Sequence, residues 1–193
     1  MNVKSARLHL STLLETPVHN EAGRQCGQIT DFTLTLRKNW PCFDQAVIFD
    51  FNSSCHRLAA RNCFKEFAPA SFVLTTPMND LPLLPSDFSK PTATQLWDKS
   101  VIDTINVRTV QINDLEILFD ESGEVWVNGI DISFRAALRR IKLERFLGGL
   151  LDRLGFSSNG EIIEWDKIIG FGDEFEALTP DSTSDNFQNL HPA

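Results

Sequence analysis

LWDKSVIDTINVRTVQINDLEILFDESGEVWVNGIDIS, Leu96 to Ser133, decides how the fold is read. It reads as short strands joined by tight turns. Val101-Ile102-Asp103 is a strand, and Asn106 stands in the turn after it, where Asn tolerates a left-handed backbone best among residues other than glycine. Arg108 to Leu118 alternates apolar and polar side chains, the period of two expected of a half-buried strand. Asp120-Glu121-Ser122-Gly123 forms a hairpin turn, and Glu124 to Asp131 is the return strand. Three such strands alone are marginally stable in water. The rest of the sheet must therefore come from elsewhere in the chain.

Leu10 to Leu36 supplies a degenerate copy. Ser11 to Leu14 has the composition of one helical turn capped by a hydroxyl residue. Pro17-Val18-His19 is extended, and Gly23 suits the positive φ of the turn that follows. Gln25 to Arg37 then alternates over the length of a long strand. A shift of 83 residues lays Gly27-Gln28-Ile29-Thr30-Asp31-Phe32 over Val110-Gln111-Ile112-Asn113-Asp114-Leu115. A shift of 104 lays Leu58 to Phe64 over Ile162 to Ile168. The order of elements agrees between the copies, and duplication is the economical explanation.

Between the copies, Pro77, Pro82, Pro85 and Pro91 exclude helix and central strand, while Met78, Leu81, Leu83, Leu84 and Phe88 are too apolar for a free linker. An extended connector lying on the protein surface fits both facts. Phe134 to Leu154 is the one strongly helical region. Its apolar face switches sides near Lys142–Glu144, as two short helices would. Gly155 is a natural stop.

Of 193 residues, 42% are hydrophobic and 23% charged, the composition of a globular protein. Net charge is -8, and five acidic residues without a compensating base lie between Asp173 and Asp185. Nothing in that balance gives the basic footprint of nucleic-acid binding. No export signal or spanning segment is evident, so a cytoplasmic chain with reduced thiols at Cys26, Cys42, Cys55 and Cys63 is expected.

LSTLLETPVHNEAGRQCGQITDF at Leu10–Phe32 resembles the start of a PRC barrel, the six-stranded barrel of the photosynthetic reaction-centre H subunit and of RimM-type ribosome-maturation factors. DKSVIDTINVRTVQINDLEI at Asp98–Ile117, GIDIS at Gly129–Ser133 and LRR at Leu138–Arg140 are similar to the tandem PRC-barrel-like region of bacterial proteins associated with MgtE-type magnesium transport. The likeness covers roughly Leu8 to Leu178. It departs at Ile105-Asn106, where the family usually has Asp-Gly, and at Gln111, where it usually has Arg. Neither an acidic transporter domain nor a membrane region is expected after Leu178.

The resemblance implies a mainly β fold with a helical insertion, two small barrels packed in tandem. Its expected divisions are residues 1–76 for the first barrel, 77–94 for the connector, 95–178 for the second barrel with an insertion at 134–154, and 179–193 for a disordered acidic tail. Asp31 and Asp114 hold equivalent places among apolar neighbours. A buried Asp needs hydrogen bonds or a partner. Each reads as an acceptor of backbone N–H groups where a strand bends, or as a ligand for Mg²⁺, the one cofactor left open. The Cys and His spacings match no zinc pattern. His9, Ser11 and Cys26 lack the setting of a nucleophilic triad. Arg135, Arg139, Arg140, Lys142 and Arg145 read as a solvated helix face or as a docking patch for an acidic partner or anionic headgroups. The expectation is a non-catalytic protein-interaction or regulatory module, linked to a membrane or magnesium-transport system through its partner, with self-association left open. A divalent-cation sensor is the alternative, and a small hydrolase the third reading.

Overall fold

Gln25 to Arg37 alternates for longer than any other run, and it forms the longest strand, β3 (Gln25–Arg37). In the computed structural model, which describes residues 6–37, 40–69, 71–120, 123–143 and 161–169, β3 pairs antiparallel with β4 (Trp40–Asp50). Around this hairpin lie β1 (Ala6–His9), β2 (Pro17–Asn20), β5 (Cys55–Ala60), β6 (Phe64–Ala68) and β7 (Ser71–Leu74). The second copy contributes β8 (Ser100–Asp103), β9 (Arg108–Gln111), β10 (Asp114–Phe119), β11 (Val125–Asp131), β12 (Ile162–Glu164) and β13 (Ile168–Ile169). The described residues also hold two α-helices, α1 (Leu10–Leu13) and α2 (Phe134–Arg140), and four 3₁₀ turns. The fold is mainly β with a helical insertion.

The ten-stranded sheet runs β1-β10-β11-β4-β3-β2-β7-β6, with β12 also on β11 and β5 also on β4, and it curls into a half-barrel. The smaller sheet runs β13-β8-β9. One apolar cluster draws on both copies, from Leu10 and Phe32 to Ile117, Trp165 and Ile168. In the first copy it is built on rings: Phe32 stacks on Phe43 at 4.4 Å, while Phe64, Phe67 and Phe72 meet edge to face. A tyrosine hydroxyl in such a cluster would need a buried partner, which favours Phe.

The repeat is visible in the backbone, bond for bond. Ile29 exchanges hydrogen bonds with the chain after α1, receiving the Glu15 N–H at 2.7 Å and donating to Thr16 at 3.0 Å. Its counterpart Ile112 does the same with Asp98 (2.9 Å) and Lys99 (3.0 Å). Glu15 and Asp98 both have φ +64°. At Ile29 the strand continues through a register shift. At Ile112 the same diversion ends it, so Arg108–Leu118, one strand by its alternation, is two, β9 and β10.

The copies also exchange their leading segments. β1 of the first copy pairs with β10 of the second, His9 opposite Glu116. The residues before the second copy return the exchange on β3: Thr33 bridges Thr92, Leu34 N–H donates to Pro91 (2.8 Å), and Ala93 N–H donates to Phe32 (2.8 Å). Each contact is the other displaced by 83 residues. The sheet therefore runs across the division expected between the copies.

The connector packs against the first copy, with Met78 and Leu81 buried in the core cluster and Leu83 exposed. It borders β5 through Leu58 N–H to Pro82 O and Leu84 N–H to His56 O, both 2.9 Å. Two local expectations are corrected. The positive φ in the β8–β9 turn belongs to Val107 (+48°) and not to Asn106. Neither Ser11 nor any other side chain of its own turn caps α1; the N-cap position is held by His9, whose side chain makes no cap, and the cap comes from the other copy. The second half of the proposed helical region, the face switch at Glu144, the stop at Gly155 and the acidic tail lie outside the described residues.

Candidate functional site

Each copy places its aspartate where the long strand is diverted, and the same geometry results twice. Asp31 Oδ1 accepts the Phe32 N–H at 2.8 Å and the Thr94 N–H at 3.1 Å, and Oδ2 accepts the Thr94 hydroxyl. Asp114 Oδ1 accepts the Leu115 N–H at 2.9 Å and the Ser11 N–H at 3.1 Å, and Oδ2 accepts the Ser11 hydroxyl. Thr94 opens the 3₁₀ turn Thr94–Leu96, and Ser11 lies in α1. A carboxylate beside the first N–H groups of a helical turn satisfies donors that have no partner within the turn. In both cases the carboxylate belongs to one copy and the turn to the other.

The surroundings differ. Asp31 is half-buried and faces Val47 across the β3–β4 ladder. Asp114 is fully buried and faces Asp131, also fully buried, across β10–β11. Asp131 Oδ1 accepts the Ser133 N–H at 2.9 Å. Two adjacent buried carboxylates require positive charge. Arg139 of α2 supplies it, with Nη1 3.3 Å from Asp114 and 3.6 Å from Asp131, and His9 Nδ1 approaches Asp131 at 3.6 Å. Burial pushes the Asp114 carboxyl above the usual carboxylate range, against hydrogen bonds from Ser11 and Leu115 and the nearby His9.

Two other carboxylates shift the opposite way. At Asp103, the Asn106 side-chain amide outweighs burial and, with the Asn106 and Ile105 N–H groups and Arg108, holds the carboxyl below its usual range. At Asp50 burial pushes upward, but Ser53, the Asn52 N–H and Arg57 together lower it.

The basic residues singled out from the sequence face inward or along the junction of the copies. Arg135 is buried and Arg139 holds the carboxylate pair. Arg140 pairs with Asp98 at 2.9 Å and lies 5.2 Å from the centre of the Trp97 ring. Lys142 pairs with Glu15, though its side chain stays largely exposed. Asp98 and Glu15 are equivalent residues, so the end of α2 reaches the same turn in both copies. Arg145 lies outside the described residues.

Asp31 and Asp114 are not brought into one site; each serves a different turn. Among the described residues no group of three or more His, Cys, Asp or Glu is arranged to hold a metal. All four cysteines are unbridged. The Ser11 hydroxyl donates to Asp114, so its proton is directed at a carboxylate and not at a histidine. No helix among the described residues is long and apolar enough to cross a membrane. Sequence reasoning missed Asp131, His9, Ser11 and Thr94 as members of these sites. The signal was available for the last two: Ser11 and Thr94 are hydroxyl residues related by the shift of 83 that relates the aspartates.

A cleft of about 370 Å³ lies between β12, the β8–β9 turn and Arg7 of β1. Arg7, Glu116, Glu164 and Lys167 give it mixed charge, and Ile105 is among the residues that line it. No family model and no curated protein matches the chain.

Proposed function

We propose that this chain is a non-catalytic interaction or regulatory module, a doubled PRC-barrel-like unit whose acidic residues hold its two copies together. The observation that carries this reading is the reciprocal cap: Asp31 and Asp114 direct both carboxylate oxygens at N–H and O–H donors of the opposite copy. A Mg²⁺ ligand set needs oxygens turned toward a shared cation and waters around it. Carboxylates engaged in a helical cap are poor candidates. The family likeness adds a context: a cytoplasmic module that meets a membrane or magnesium-transport system through a protein partner.

Calorimetric titration of the full chain with Mg²⁺ tests this against the cation-sensor alternative. The expected result is no saturable heat up to millimolar Mg²⁺ and no change in Tm. Saturable binding abolished by Asp31→Asn or Asp114→Asn would establish the sensor instead.

A further inference from the structure

The two copies differ on the outside of the β8–β9 hairpin. In the second copy Ile102 is 41% exposed, Ile105 67%, Val107 83% and Ile169 39%. Ile102 and Ile169 are direct neighbours across β8 and β13, and Ile105 and Val107 lie in the turn at the same end of β8. By the two shifts, their counterparts in the first copy are His19, Ala22, Arg24 and Lys65. Four positions that one copy fills with basic or small residues are all β-branched aliphatics in the other. The inward positions of this small sheet, Val101, Val110 and Ile168, are already buried, so the outer aliphatics are not needed for the core.

The turn adds a second observation. Val107 has φ +48°, an unfavourable backbone for a β-branched side chain. In the first copy the turn places its positive φ on Gly23 instead. A residue that strains the turn and stands in solvent serves neither stability nor solubility.

Charge and size narrow the occupant. Between Ser100 and Gln111 the charged residues are Asp103, which is buried, and Arg108, whose guanidinium is tied to Asp103 (3.2 Å) and Glu161. The centre of a protein interface is depleted of charge in this way, whereas an anionic membrane calls for free basic residues. The four side chains offer on the order of 400 Å², about half of what one partner contributes to a stable globular interface. That suits one element of a partner better than a second copy of this chain.

We propose that the β8–β9 turn and the outer face of β13, centred on Ile102, Ile105, Val107 and Ile169, dock an uncharged, apolar-rich segment of a partner protein, with Ile105 also lining the adjoining cleft. This rests on the reading of the chain as an interaction module.

The test is selection of a displayed library of 12-residue peptides against the full chain. The peptides obtained are then measured by fluorescence anisotropy against wild type, Ile105→Arg/Val107→Arg and the first-copy control Ala22→Asp/Arg24→Ser. Both double variants change exposed residues, and an unchanged melting curve verifies the fold. The expected peptides carry no net charge and at least three large apolar residues. They bind at least tenfold more weakly to Ile105→Arg/Val107→Arg, and equally to wild type and control. Peptides insensitive to Ile105→Arg/Val107→Arg would overturn the surface and leave the interaction module standing, whereas no enrichment at all would remove both. Three results would assign the surface to another occupant and overturn the proposal: displacement of the selected peptides by a synthetic peptide of residues 170–193, dimerisation of wild type but not Ile105→Arg/Val107→Arg in sedimentation, or binding to phosphatidylcholine–phosphatidylglycerol vesicles lost in that variant.

Discussion

Asp31 and Asp114 make the same cap in the two copies, yet only Asp114 belongs to a charge cluster. Across the ladder Asp31 meets Val47 and Asp114 meets Asp131. Beside Asp31 the incoming segment brings Thr92; beside Asp114 it brings His9. Arg139 closes the second site from α2, the insertion that the first copy lacks. The comparison shows what the fold needs and what was added to it. The cap is the common requirement. The second carboxylate and the arginine form one dependent set, because either alone would bury an unpaired charge, and the histidine lies beside them.

Copying one member of that set into the first copy should have the largest effect. Val47→Asp places a buried carboxylate opposite Asp31 with neither arginine nor histidine to receive it. We expect a loss of about 4 kcal/mol or more, enough to leave much of the chain unfolded in a denaturant titration. Next comes Asp114→Ala, which removes the cap and leaves Arg139 facing Asp131 alone. The expected loss is about 3–4 kcal/mol, against about 2 kcal/mol for Asp31→Ala. Equal losses at the two sites would erase the distinction between them.

The pH dependence sharpens the same contrast. The folded Asp114 carboxyl holds its proton more tightly than the unfolded chain does. Its contribution is therefore largest at low pH and falls as pH rises from the unfolded value near 4 through the raised folded value. The cost of Asp114→Asn should shrink across that window. Asp103 has the opposite sign: its folded pKa is depressed, so its contribution is present above the unfolded value and is lost as pH falls through the depressed one. The cost of Asp103→Asn should grow as pH rises from the depressed value to the unfolded value near 4, and stay level above it. Melting curves from pH 3 to pH 7 read both slopes. The smallest effect is expected at the exposed Lys142–Glu15 pair, where Lys142→Ala should change stability by less than about 0.5 kcal/mol.

Much of the fold was legible because it rests on local pattern. Alternation marked β3, the hairpin chemistry of Asp120 to Gly123 marked the return to β11, and the prolines marked the connector. The equivalence of Asp31 and Asp114, and their role as acceptors at a strand bend, could also be read from the repeat. The exchange of leading segments could not, because periodicity does not reveal which copy a strand joins. For the same reason Ser11 looked like a local cap, although its donors turn to a carboxylate 103 residues away. The arginines of α2 suggested an outward face by composition, and only the register Asp114–Asp131 shows why Arg139 turns inward. The aliphatic hairpin was hidden by the alternation of β8: Ile102 reads as core until Val101 and Asp103 are seen to occupy the inner face.

The central claim is that the copies interlock and fold as one unit. Urea unfolding followed by amide NMR at Gly27 in the first copy and Gly129 in the second tests it most directly. The account predicts one midpoint for both amides in wild type, and in Asp114→Ala a single lower midpoint that both still share. Separate midpoints in wild type, or a shift confined to Gly129 in the variant, would contradict it.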